Sequence, residues 1–263
     1  MKKQGKSQDI RMMRPVVARD KKTGQVLTLQ QSDSINIGSC EFSFNTPNNV
    51  SIFVNISKRE LNISKKHHND IFKAKAKAKK EITLDGKELS KLYTYLEHIQ
   101  SCVISVYTAI EALANVAIPN NHEYKVKNSK GVMETWDKEA IERWFKTSDK
   151  YTKVLPEILK IDSPSSQPFW SKFKELESIR NDIIHQKTSI KKSTDIDSGY
   201  LARLLQPKVF DNIEAGYELI AYICNANISH AFFPLGFGPA QISVEEFEDF
   251  SKSFKLVKSA SNT

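Results

Sequence analysis

Leu89, Leu92, Leu96, Ile99, Val103, Val106, Ile110 and Leu113 recur at alternating steps of three and four residues, the spacing that gathers side chains on one face of an α-helix. The spacing predicts one amphipathic helix of roughly thirty residues. Asp85 suits its N-cap, and Pro119 followed by Asn120 and Asn121 suits its end. Further along, Asp137 is expected to cap a short helix through Ile141, Trp144 and Phe145, and Pro156 stands near the start of another running from Val154 to Leu159. Phe169, Phe173, Leu176, Ile179 and Ile183 repeat the three-and-four pattern and predict a helix ending close to His185. After a polar stretch from Lys187 to Ser198, a short helix is expected around Leu201 to Leu205. A longer one follows through Phe210, Ile213, Leu219, Ile220 and Ile223. The turn-rich PLGFGP (234–239) precedes VEEFEDFSKSF, which reads as one more short amphipathic helix. No internal repeat is visible. The fold class expected is mainly α, an antiparallel helical bundle with a small N-terminal extension containing strands.

The extension reads differently. Residues 1–22 are polar and basic without periodicity, as in a flexible arm. From 25 to 57, QVLTL, INIG, CEFSFNT and VSIFVNIS are short runs rich in β-branched and aromatic residues, broken by Asn, Pro, Ser and Gly. They predict two to four short strands. Residues 58–80, ending in KAKAKAKK, show no apolar face and read as an exposed helix or linker. A boundary is therefore expected near residue 80, with the helical domain covering 81–263.

Composition narrows the function classes. The 263 residues include 40% hydrophobic and 27% charged positions, ordinary for a soluble chain. No uninterrupted apolar stretch approaches the ~20 residues a membrane-crossing helix needs, and MKKQGKSQD lacks the apolar core of a secretory signal. A cytoplasmic location without membrane attachment is expected. Cys40, Cys102 and Cys224 are scattered and odd in number, so reduced thiols are expected rather than a disulfide framework. His67 and His68 have no third ligand at a metal-binding spacing, and neither metal nor cofactor is expected. The net charge of +8 is uneven: residues 1–80 hold 17 Lys/Arg against 6 Asp/Glu, and the remainder 22 against 25. That asymmetry suggests an N-terminal basic surface for a polyanion such as nucleic acid, or simply solvated charge. No phosphate-cradling glycine loop, nucleophile elbow or paired-carboxylate metal motif is present.

The densest chemistry lies in RNDIIH, residues 180–185. At about 100° per residue, Asn181 and His185 share a helix face, whereas Arg180 and His185 are about 140° apart. Arg180 and His185 converge only where the helix loosens or a second copy completes the site. Ile179 and Ile183 hold the core-facing side. Taken alone, these residues also suit a charged helix end with a favourable terminal His.

An arginine, a polar residue, a few apolar residues and a histidine at the end of a bundle helix resemble the Arg-x(4 to 6)-His signature of the HEPN superfamily. The resemblance extends over about residues 85–228. It includes YTAIEALAN (107–115) in the long helix, a short helical insert, PFWSKFKELESIRNDIIH, and another long helix. Residues 1–80 match nothing in that family. The resemblance implies a metal-independent endoribonuclease of toxin or antiviral-defence type that acts on RNA as a homodimer, with an antitoxin or defence-system protein as a further partner. RNA carries its own nucleophile, the 2′-hydroxyl beside each phosphodiester. His185 would then serve as acid or base and Arg180 as a planar phosphate fork. Asn181 would orient His185, and Asp182 would anchor or tune Arg180. Glu111 and Asn115, one turn apart on the long helix, are candidates for support. Trp136, Trp144, Trp170 and Tyr107 read as core or interface aromatics rather than base-stacking surfaces. Two rival readings stand beside this one: a non-catalytic helical module binding protein or nucleic acid, and a nucleotide-binding sensor domain.

Overall fold

A computed structural model describes residues 9–73, 75, 81–127, 129–185, 199–226, 232–237 and 244–255. The fold is mainly α. The long periodic segment forms helix α2, Gly86–Ala117, following Asp85 and ended before Pro119. Its stripe Ile99, Val103, Val106, Ile110 and Leu113 is fully buried. α2 is long and apolar enough by composition to cross a membrane, with mean hydropathy 1.3 over its most apolar stretch and over half of that stretch buried in the protein. This departs from the expectation that no such segment exists. Packing inside the bundle accounts for its hydropathy.

The largest correction precedes it. Residues expected as a final strand (VSIFVNIS) and as an exposed helix or linker form one helix, α1, Asn49–Phe72, with a buried face. Its buried stripe is Val50, Val54, Ser57, Leu61, Ser64, His68 and Ile71, again at steps of three and four. Two serines and a histidine dilute the apolar signal, and each finds a partner. The Ser57 hydroxyl is 2.7 Å from the Tyr217 hydroxyl and 3.1 Å from the Cys102 carbonyl oxygen, and Ser64 donates to the Glu60 carbonyl oxygen at 2.8 Å. His68 Nε2 lies 2.9 Å from the Leu205 carbonyl oxygen. Hydrogen-bonded polar groups are tolerated in a core where unpaired ones are not. Asn48 caps α1 by accepting from the Ser51 N–H at 3.0 Å. The pairs Ser57 with Cys102 and Glu60 with His98 show α1 and α2 running antiparallel. Residues 49–72 thus belong to the helical body, and the boundary expected near 80 falls inside it. Of KAKAKAKK only Lys73 and Lys75 lie among the described residues.

Among the described residues, four strands precede α1: β1 Val16–Asp20, β2 Val26–Leu29, β3 Ser32–Ile37 and β4 Cys40–Asn45. β1 and the buried Met12, Met13 and Ala18 lie within the segment expected to be a flexible arm; residues 1–8 are outside the description. β3 and β4 form an antiparallel hairpin. β1 pairs antiparallel with β2 and parallel with β7, Val244–Phe247. The tail segment expected to be one helix is therefore this strand followed by helix α9, Phe250–Ser253. Asp20 explains the split: its carboxylate accepts from the Thr23 N–H at 2.8 Å and from the Phe250 N–H at 2.6 Å, tying the β1 turn to the start of α9. Of PLGFGP, residues 234–237 are described.

After α2, an unanticipated antiparallel hairpin, β5 Glu123–Lys127 and β6 Met133–Asp137, alternates exposed and half-buried positions. Asp137 then caps helix α3, Lys138–Trp144, by accepting from the Ala140 N–H at 2.8 Å. A continuous helical run follows: α4 Thr147–Asp149, a π-helical turn Lys150–Val154, and α5 Leu155–Leu159. Helix α6, Trp170–Ile184, buries Phe173, Leu176 and Ile179. The polar stretch 187–198 lies outside the described residues. Helix α7, Tyr200–Leu205, leads to α8, Lys208–Ala226, whose buried Ile213, Leu219, Ile220 and Ile223 complete the core. At Gly216 a Cβ would stand 3.0 Å from both a Leu176 and a Val106 methyl carbon, so glycine lets α8 approach α2 and α6 closely.

Candidate functional site

Tyr107, Glu111, Lys146, Thr147, Lys174, Glu177, Arg180 and Asn181 line an open cleft of about 350 Å³ where α2, α4 and α6 meet. α6 contributes Lys174, Glu177 and Asn181 at helical spacing i, i+3, i+7, so one polar stripe runs beside its buried apolar stripe. That stripe was visible in the sequence and would have pointed to Lys174 and Glu177. Lys146 and Thr147 enter from the turn after α3, which no periodicity marks.

Arg180 is held on three sides. Its guanidinium donates to Glu111 at 3.2 and 3.3 Å, to the Asn181 side-chain oxygen at 3.0 Å, and its centre lies 4.8 Å from the Tyr107 ring centroid. Glu111 also accepts from the Thr147 hydroxyl at 3.3 Å. Tyr107 donates to Glu177 at 2.8 Å, and Glu177 pairs with Lys174. Burial pushes the Tyr107 hydroxyl well above the usual phenol range, so it stays a donor. Lys146, Lys174 and Arg180 surround the cleft with positive charge, against the carboxylates of Glu111 and Glu177.

The expected site residues divide. Arg180, Asn181 and Glu111 come together in the cleft. Asn115 turns instead to Lys150 at the π-helical turn, accepting from its Nζ at 2.8 Å; the same ammonium donates to the Glu142 carbonyl oxygen at 3.0 Å. Burial lowers the Lys150 pKa, while Glu142 and Glu111 oppose that shift. Asp182 does not anchor Arg180. It pairs with Arg203 of α7, which also reaches Glu175 at 3.0 Å, because Asp182 lies two positions from Arg180 and so on another helix face. Asn181 meets His185 through its backbone, with the His185 N–H donating to the Asn181 carbonyl oxygen at 2.9 Å. Its side-chain oxygen serves Arg180.

His185 itself leaves the helix, with φ −106° and ψ 49°, and is exposed. It is not among the residues lining the Arg180 cleft. Within one chain Arg180 lines the cleft and His185 does not.

The aromatics also divide. Tyr107 is buried, and Trp136 and Trp170 are partly buried against the core. Trp144 is 66% exposed, so of its reading as a core or interface aromatic the core alternative does not hold. The thiols of Cys102 and Cys224 are pushed up to about 12 by burial, and Cys40 is exposed.

The expected basic N-terminal surface is partly cancelled. Lys21 reaches Glu248 at 2.7 Å, Lys22 reaches Asp249 at 3.2 Å and Lys65 reaches Glu214 at 2.9 Å, so acidic residues of the later chain fold back onto earlier cations. Arg14 is buried and donates to the Pro234 and Phe237 carbonyl oxygens. No protein-family model, curated protein or solved structure matches this chain.

Proposed function

We propose that the chain is a HEPN-like endoribonuclease that cleaves RNA without a metal, using the 2′-hydroxyl as nucleophile. The observation that carries this reading is the open cleft that sets Arg180 and Asn181 beside Lys146 and Lys174. Arg180 is the group to grip the phosphodiester, since a guanidinium offers two parallel donors to phosphate oxygens. Its pair with Glu111 is about a quarter to a third exposed, with side-chain exposures of 22% and 35%, and such pairs contribute only ~0–1 kcal/mol. A phosphate can therefore draw the guanidinium away at little cost. Lys146 and Lys174 stabilise the charge that gathers on the phosphorus oxygens.

His185 supplies the proton transfer, an imidazole being the side chain best suited to acid or base work near neutral pH. Because it stands outside its own chain's cleft, the proposed active form is a homodimer in which the two helix ends face one strand of RNA. A toxin or antiviral-defence role on cytoplasmic RNA, with an antitoxin or defence-system partner, follows from the resemblance of RNDIIH to the HEPN signature.

The test is cleavage of a fluorescent RNA in excess chelator. Activity should persist, the product should end in a 2′,3′-cyclic phosphate, and deoxyribose at the cut site should block the reaction. Strict magnesium dependence would overturn the proposal. One observation favours a second reading, a non-catalytic interaction module: the clamp of Glu111, Tyr107 and Asn181 around Arg180 also suits a structural tie between α2 and α6. On that reading Arg180→Ala unfolds or loosens the protein and no RNA is cut.

A further inference from the structure

Trp144 is the last residue of α3 and stands 66% exposed. The Arg143 guanidinium lies 5.0 Å from its ring centroid. Trp136 and Trp170, by contrast, pack against the core. A mostly hydrated indole beside a stacked guanidinium forms a flat, polarisable and positively charged surface.

Its position gives that surface a use. The next two residues, Phe145 and Lys146, line the cleft that contains Arg180, and each step along the backbone spans only about 3.8 Å. The segment is also fixed on both sides. The Asp137 cap and the fully buried Ile141 hold α3. Phe145 packs edge-on against Tyr124 at 5.7 Å and Trp136 at 5.3 Å. A stacking surface on a rigid segment loses little freedom when it binds.

We propose that Trp144 and Arg143 form a stacking platform for an unpaired RNA base whose neighbouring phosphate enters the cleft at Lys146 and Arg180. This rests on the reading of the cleft as an RNA site, and it adds a substrate class, single-stranded RNA. Every base has a face that can stack on an indole, so the platform does not select sequence. In a duplex those faces already lie against neighbouring bases, so the platform selects against paired RNA. Arg143 adds one cation toward the flanking phosphate.

The experiment uses the full chain and a short single-stranded 2′-O-methyl oligoribonucleotide, which lacks the free hydroxyl and is not cut by the proposed chemistry. Binding should quench tryptophan fluorescence. Trp144→Leu should remove most of that quench and weaken binding about tenfold, with a thermal melt like that of the unaltered chain because the side chain is exposed. Trp144→Phe should recover most of the affinity. Arg143→Gln should lower the salt slope of binding by about one. A 2′-O-methyl duplex should bind the Trp144→Leu variant and the unaltered chain equally.

The platform is overturned if the unaltered chain does not bind the single strand, or if Trp144→Leu binds as tightly as it does. It is also overturned if that substitution converts a dimer to a monomer in sedimentation without RNA, since the indole is then a self-contact. If binding depends on Trp144 but natural RNA is never cut, the platform stands and the nuclease reading fails.

Discussion

Arg180 and Glu111 face each other at 3.2 Å across the joint between α6 and α2. The contact links the most reactive segment of the sequence to the centre of the helical core, and it separates a structural role for Arg180 from a chemical one. Because the pair is partly exposed, a double-mutant cycle with Arg180→Ala and Glu111→Ala should give a coupling energy of about 0.5–1 kcal/mol in urea unfolding. A coupling above about 3 kcal/mol would instead mark a buried structural tie.

His185→Ala should leave thermal stability close to that of the unaltered chain, since the ring is exposed at the end of α6. On the nuclease reading it should lower the cleavage rate by roughly 10²-fold or more. Arg180→Ala should be comparably damaging, and Arg180→Lys should recover little, because an ammonium keeps the charge without the two-pronged fork. Equal rates for His185→Ala and the unaltered chain would remove His185 from the mechanism. Mixing His185→Ala with Arg180→Ala chains should restore part of the activity if the working site is shared between two copies.

Gly216→Val should destabilise the fold by about 2–3 kcal/mol, the scale of forcing extra carbons into a filled core. The first of those carbons would already lie 3.0 Å from Leu176 and Val106 side chains that are fully buried. Chemical denaturation would measure the loss. An unchanged midpoint would mean that α8 can move away from α2 and α6 freely.

Asp20 gives a prediction in pH. Backbone N–H groups of Phe250 and Thr23 hold its carboxyl below the ordinary value of 3.8. A folded-state pKa below the unfolded one means that the unfolded chain binds the proton first. The stabilisation is therefore complete above about pH 4 and is lost as pH falls through the lowered value. Asp20→Asn should be less stable than the unaltered chain at neutral pH, and the gap should close on acidification. A gap that widens in acid would contradict the role of Asp20 as the tie between the β1 turn and α9.

Much of the helical architecture was legible in the chain itself. Where apolar residues repeat without interruption, as from Ile99 to Leu113 and from Phe173 to Ile179, burial of that stripe fixes both the helix and the face it presents. The Asp137 cap and the stop at Pro119 are equally local, because each acts on backbone groups within one turn, whereas Asp85 takes the N-cap position of α2 without a side-chain capping bond. RNDIIH also carried its own geometric expectation: on a regular helix Arg180 and His185 point about 140° apart, and in the structure Arg180 lines the cleft while His185 does not.

Tertiary structure decided what depended on distant partners. Helix α1 hid behind Ser57 and His68, polar residues that a core accepts only because Tyr217 and Leu205 are placed to bond them. Strand β7 exists because β1 offers it an edge more than two hundred residues away in the chain. Asp182 went to Arg203 and Asn115 to Lys150, while Glu111 came to Arg180, choices set by which helix lies opposite. Periodicity reports whether a side chain faces inward or outward. Which group it meets there depends on how separate helices pack, and that is settled by the whole chain at once.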